Sequence, residues 1–140
     1  MTIVSDIEDI ELALPLLAEL RAALDPATLS ARLSAAVAGG YRVLGATQND
    51  NIVGVLGYRI THDICWGRTL YVDDLNIKPD ARGTGIGGAL LDVAKVRASE
   101  LGCDHLRLCS GLTRLDAHRF YEAHDLIGFS KQFVIALKGD

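Results

Sequence analysis

The chain has no surplus of positive charge, few cysteines, little proline and no long apolar run. Lys plus Arg is 14 against 18 Asp plus Glu, a net charge of −4. Binding along a phosphate backbone needs a basic face, so no nucleic-acid partner is expected. No stretch approaches the roughly 20 consecutive apolar residues of a membrane span, so no membrane partner is expected either. Met1 to Asp9 carries three acids and no base, unlike a secretory leader. The 3 cysteines have no paired spacing and read as reduced thiols, which points to a cytoplasmic protein. Cys65, Cys103 and Cys109 with His62, His105, His118 and His124 form no CxxC or HxxxH pair, so no metal is expected. No Gly-x-Ser-x-Gly elbow is present, which removes the usual hydrolase reading. A Cys109 acyl-enzyme stands against the commoner role of a structural thiol.

What is present is 140 residues, 49% of them hydrophobic, enough for one domain with a core of its own. There is no linker, repeat or low-complexity tract, so residues 1–140 are expected to form a single domain. Thr2 to Val4 reads as an edge strand. Asp6 or Asp9 can cap a helix carrying Ile10, Leu14, Leu17 and Leu20, with Pro15 tolerable only near its first turn. Asp25-Pro26 breaks it, and Thr28 to Val37 is a second helix, stopped by Gly39-Gly40. Tyr41 to Thr47 and Ile52 to Ile60 read as a hairpin, and Leu70 to Ile77 as the next strand. Ile86 to Leu101 is an amphipathic helix. His105 to Cys109 is a strand, Leu115 to Leu126 a helix, and Phe129 to Leu137 a closing strand. The order implies an α/β fold of the α+β kind: a mixed, mostly antiparallel sheet with a parallel pair from the late βαβ unit and helices on its faces.

The most informative segment is Arg82-Gly83-Thr84-Gly85-Ile86-Gly87-Gly88, between a strand and a helix. Glycines there permit a tight turn and a close ligand approach. The unpaired amides of a helix start suit a pyrophosphate, and Arg82 adds a cation. A Walker loop would need Gly-Lys-Ser/Thr, which is missing. Gly83, Gly85 and Gly88 satisfy G-x-G-x-x-G. A dinucleotide fold, however, wants an acid about 20 residues further on, where Leu108 and Cys109 stand. A ligand-free glycine turn stays open at this point.

Arg82-Gly83-Thr84-Gly85-Ile86-Gly87 resembles the acyl-CoA signature of the GNAT superfamily of N-acetyltransferases. Leu70 to Gly83 is similar to the strand and loop that lead into that signature. Asp116 to Glu122, followed by Gly128-Phe129, is similar to the family's next block. The resemblance spans essentially the whole chain. It implies a GNAT-like fold with a central parallel split, acetyl-CoA as acyl donor, and a primary amine as acceptor: a small molecule, a lysine side chain or an N-terminus. By the same resemblance Leu75, Asn76 and Ile77 line the pantetheine arm. Arg82, Gly83, Thr84, Gly85, Ile86, Gly87 and Gly88 surround the pyrophosphate. Tyr121 is implied as the acid that protonates the departing thiolate, against a plain role as a core aromatic beside Phe120. Asp73 takes the place of a glutamate base, with Asp74 beside it.

Adjacent strand residues point to opposite faces, so one of these acids at most is expected in the cleft unless a bulge intervenes. The competing reading pairs an acid with Arg68 or Arg107. Arg114 stands where relatives carry an asparagine against the CoA arm, and is kept as a cofactor-binding candidate. Asp63, Asp73 and Asp74 about the cleft mouth tilt the acceptor toward a cation. The apolar run Phe133 to Leu137 leaves a homodimer open. A non-catalytic acyl-CoA-binding or regulatory module is the alternative, and it would need neither Tyr121 nor the acids.

Overall fold

Asp-Pro at positions 25 and 26 starts a helix in this chain as well as ending one. In the computed structural model, which describes residues 1–138, Asp25 caps helix α2 (Pro26–Ala38), its carboxylate accepting from Thr28 N at 2.8 Å. Pro26 occupies the first turn, where its missing N–H has no partner to lose. The helix therefore begins two residues before the predicted Thr28. Asp9 caps a 3-10 turn over Ile10–Ala13, from which α1 (Leu14–Leu20) continues. Pro15 falls in the first turn of α1, which is why the predicted helix from Ile10 divides there.

Strand β1 (Ile3–Asp6) is the sheet edge. β2 (Arg42–Gln48) and β3 (Asn51–Asp63) form the predicted hairpin. Asn49 and Asp50 both take positive φ, 50° and 64°, as a two-residue turn matched to strand twist requires. Asp63 Oδ1 accepts from Trp66 N at 2.6 Å in the next turn, and Gly67 opens β4 (Gly67–Ile77). Helix α3 (Ile86–Glu100) then leads to β5 (His105–Leu108). The order is β1-β2-β3-β4-β5, antiparallel except for the parallel β4–β5 pair. This is the mixed, mostly antiparallel sheet expected from the sequence. No described helix is long and apolar enough to cross a membrane.

Alternation sorts the sheet into two buried faces. Val43, Val55 and the ring of Tyr41 pack against Ala13, Leu16 and Leu17, with Leu33, Ala36 and Val37 of α2 closing that side. Leu44 and Leu56 point the other way and are fully buried, as are Leu90 and Leu91 of α3. Each such leucine contributes about 1.5–3 kcal/mol of burial. Arg97 of α3 also donates to Tyr58 Oη at 2.8 Å and pairs with Asp6 at 2.9 Å.

Residues 1–108 form one compact unit and the described residues from 109 onward a second. The second holds α4 (Leu115–Ala123). His118 Nε2 bonds Gly111 O at 2.8 Å ahead of it, and Asp125 takes φ 72° just past its end. That left-handed residue ends the helix before the predicted Leu126. The predicted strand Phe129 to Leu137 is not formed. Among its described residues the second unit contains no other strand, so this apolar run has no ladder to join within its unit.

Candidate active site

The loop after β4 is shaped by two left-handed glycines. Gly83 has φ 76° and Gly85 φ 86°. A Cβ at either position would meet nothing within 4 Å. Glycine is required there by backbone conformation, because the space beside each is open. Gly85 is the N-cap of α3, and its carbonyl accepts from Ala89 N at 3.0 Å, the first helical bond. The amides of Ile86, Gly87 and Gly88 therefore precede the ladder, at the positive end of a 15-residue helix. Thr84 Oγ1 bonds Ala81 O at 2.5 Å and closes the loop on itself. Open space beside glycine backbone, together with unladdered amides, fits the pyrophosphate of an acyl-CoA.

The strand leading to this loop loses a partner. The β4–β5 ladder covers only Thr69 to Val72, opposite His105 to Leu108. Beyond Val72, no described strand pairs with that side of β4, so the backbone of Leu75, Asn76 and Ile77 has an open flank there. An extended ligand arm can add to such an edge as a strand would. The Asn76 side chain is committed elsewhere. It is buried and donates to Leu16 O at 2.9 Å, tying β4 to α1. Arg82 likewise reaches back, to Ile77 O at 2.9 Å and Glu19 at 2.8 Å. Its guanidinium braces the loop, and any anion contact would have to compete with Glu19.

β4 also carries a bulge. Gly57 pairs with Asp74 and Tyr58 with Val72, which leaves Asp73 as the extra residue. Alternation is reset there, and both acids line one cavity of about 620 Å3, with Tyr41, Arg59 and Arg21. The expectation that at most one acid enters the cleft is corrected by this bulge. Asp73 is held at both oxygens by Arg59, at 2.8 Å each. Asp74 Oδ1 accepts from Arg21 at 2.8 and 3.0 Å, and its Oδ2 accepts from Tyr41 Oη at 2.7 Å. Arg68 and Arg107, the partners considered from sequence, are engaged elsewhere: Arg68 with Leu101 O at 2.8 Å and Arg107 with Asp63 at 3.1 Å. Asp63 does not line the cavity.

Gly57 explains how Tyr41 reaches Asp74. A Cβ at Gly57 would overlap the Tyr41 hydroxyl, so the phenol crosses β3 only because that position is bare. Burial, then the Asp74 carboxylate, pushes the Tyr41 pKa far above that of a free phenol, so its proton stays in the bond. The hydrogen bond from Arg59 to Asp73 holds the guanidinium pKa still higher than usual. Sequence reading missed Tyr41, Arg21 and Arg59. The apolar texture of Tyr41 to Thr47 marks Tyr41 as a core aromatic, and nothing local marks either arginine.

Tyr121 and Arg114 lie in the second unit. Tyr121 sits on α4, its ring edge-to-face with Phe120 at 5.4 Å. Burial raises its pKa while Arg114 pulls the other way, so the phenol is protonated at neutral pH and available as a donor. Arg114 stands at the N-cap of α4 and makes no side-chain cap bond.

With this geometry in view, likeness to known proteins is informative. The family model described as "Acetyltransferase (GNAT) family" matches residues 10–126. The uncharacterized N-acetyltransferase YhdJ of Bacillus subtilis (strain 168) is 37% identical over 117 residues, 83% of this chain and 81% of that one. A bovine thialysine N-epsilon-acetyltransferase is 34% identical over 64 residues, 46% of this chain and 38% of its own length. The crystal structure of ribosomal-protein-alanine N-acetyltransferase from Brucella melitensis biovar Abortus 2308 superposes with a TM-score of 0.80 at 25% identity, covering 98% of this chain and all of that one.

Proposed function

Since the chain belongs to the GNAT family of acetyltransferases and is thereby an N-acetyltransferase, we propose that it transfers the acetyl group of acetyl-CoA to a primary amine by direct attack. One observation carries the cofactor part of this reading: the left-handed glycines beside open space at the start of α3. In this reading the amides of residues 83–88 hold the pyrophosphate. The open flank of Leu75, Asn76 and Ile77 takes the pantetheine arm, and a backbone amide there polarises the acetyl carbonyl. Thr84 shapes the loop, Arg82 braces it, and Arg114 is an added contact for the CoA arm.

The acceptor amine must lose a proton before its nitrogen lone pair forms the new bond to the carbonyl carbon. Asp73 or Asp74, directly or through water, receives that proton. As the carbon–sulfur bond breaks, the thiolate takes a proton from Tyr121. Burial raises the pKa of the Tyr121 phenol above that of a free tyrosine, which keeps the donor loaded until the thiolate forms. Three free thiols fit the same reading of a reducing, cytoplasmic setting.

The alternative, an acyl-CoA-binding module without catalysis, has no use for two acids gathered by a bulge. The test is an acceptor screen with acetyl-CoA and the full chain, reading free thiol over amino acids, polyamines, aminoglycosides and peptides. Amine-dependent thiol release is expected. Saturable acetyl-CoA binding with no release for any amine would leave the binding module standing.

A further inference from the structure

The cavity beside the β4 bulge has a charge balance that the sequence does not reveal. Its charged lining is Arg21, Arg32, Arg59, Asp73 and Asp74, one cation in excess. Each acid already has an arginine of its own. Arg32 is different. It lies on the cavity side of α2, one helical turn from Leu29 and Ala36, and makes no hydrogen bond or ion pair among the described residues. The rest of the wall is largely hydrocarbon, chiefly Leu17, Leu24, Leu29 and Leu33.

A purely cationic acceptor, toward which the acids alone would tilt the choice, meets a net positive wall here. An acceptor with an amine at one end and an anion at the other meets complementary groups at both. Arg21 and Arg59 are about half exposed, so their pairs with Asp74 and Asp73 are solvated and can be shared with an incoming group. The bidentate Arg59–Asp73 contact shows carboxylate geometry already accommodated in this cavity. We propose that the acceptor taken by this site is a primary amine that also carries a carboxylate, its amine end at Asp73 and Asp74 and its carboxylate end at Arg32. This rests on the acetyltransferase reading for the fate of the amine, but the binding preference does not.

The test is a matched-pair titration of the full chain without acetyl-CoA, by calorimetry: L-lysine against cadaverine, and L-leucine against isoamylamine. Each pair differs by one carboxylate. The carboxylate-bearing member is expected to bind about tenfold or more tightly, the usual scale of a charge-assisted hydrogen bond. Arg32→Ala, an exposed position on α2 where folding is unaffected, should bring each pair within about threefold; Arg32→Lys should keep part of the preference. Equal or tighter binding of the decarboxylated amines overturns the proposal. So does a preference that survives Arg32→Ala, or no binding of either member at millimolar concentration. Tighter binding of phosphoethanolamine than of β-alanine would assign the anion end to phosphate and overturn the carboxylate. If the preference holds and no amine yields thiol from acetyl-CoA, the acetyltransferase reading alone fails. If thiol release is fastest with decarboxylated amines, this inference alone fails.

Discussion

Gly85→Ala separates the backbone's need for glycine from the ligand's. Gly85 has φ 86°, and a Cβ there would touch nothing within 4 Å. Steric overpacking therefore contributes no cost, and only the left-handed backbone does, about 1–2 kcal/mol for an L side chain. For 140 residues the unfolding entropy is about 0.3 kcal/mol/K. The variant should stay folded with Tm lowered by about 3–7 °C. Acetyl-CoA at a hundred times its Kd stabilises a protein by about 2.7 kcal/mol, so the wild type should gain about 9 °C by thermal shift. The added methyl enters the open space beside the loop, which the proposed pyrophosphate would use. The gain should be largely lost in Gly85→Ala. Val43→Ala, buried on the opposite side of the sheet from α3, costs about 2 kcal/mol and should keep the full ligand gain. An undiminished acetyl-CoA shift in Gly85→Ala, with Val43→Ala behaving as expected, would refute the assignment of this loop to the pyrophosphate.

Tyr121→Phe keeps the edge-to-face ring contact and removes the donor. Steady-state kinetics should show kcat reduced by roughly 10²–10⁴ with acetyl-CoA affinity unchanged, and a wild-type kcat would return Tyr121 to a packing role. Asp73→Asn and Asp74→Asn remove one charge each without changing shape. The variant that loses kcat/KM, with its acidic limb weakened or shifted, identifies the base, and loss in neither hands the proton to solvent. Tyr41→Phe deletes a part-buried bond to a carboxylate and should cost about 1.5–3 kcal/mol at pH 7 in urea unfolding. The folded Tyr41 pKa is raised, so the unfolded phenol ionises near pH 10 while the folded one keeps its proton. Wild-type stability should thus fall as pH rises past about 10, and the phenylalanine variant should lack that slope.

The glycine loop was legible because left-handed backbone is written in residue type: Gly83 and Gly85 stand where φ is positive. The hairpin was legible for the same reason, through Asn49 and Asp50. The bulge was not. Strand alternation assigns Asp73 and Asp74 to opposite faces, and one extra residue in β4 overrides it without a local signal. The partners of the acids were hidden by distance along the chain, since Arg21 and Tyr41 come to Asp74 from two other elements. Gly57 marks the crossing of Tyr41, but a lone glycine inside a strand reads equally as a bulge. The apolar run Phe129 to Leu137 has strand texture. Texture becomes a strand only where a ladder is offered, and the second unit has none among its described residues.

In the proposed reaction acetyl moves from CoA to an amine nitrogen on this protein. Acetyl-CoA labelled in its acetyl group, incubated with the full chain and an amine panel led by L-lysine and L-leucine, tests it by mass spectrometry of the products. Labelled acetyl in amide linkage on the amine is expected, at a rate proportional to protein and strongly reduced by Gly85→Ala. Label recovered only as acetate or as unreacted acetyl-CoA, with the amines unchanged, would contradict it.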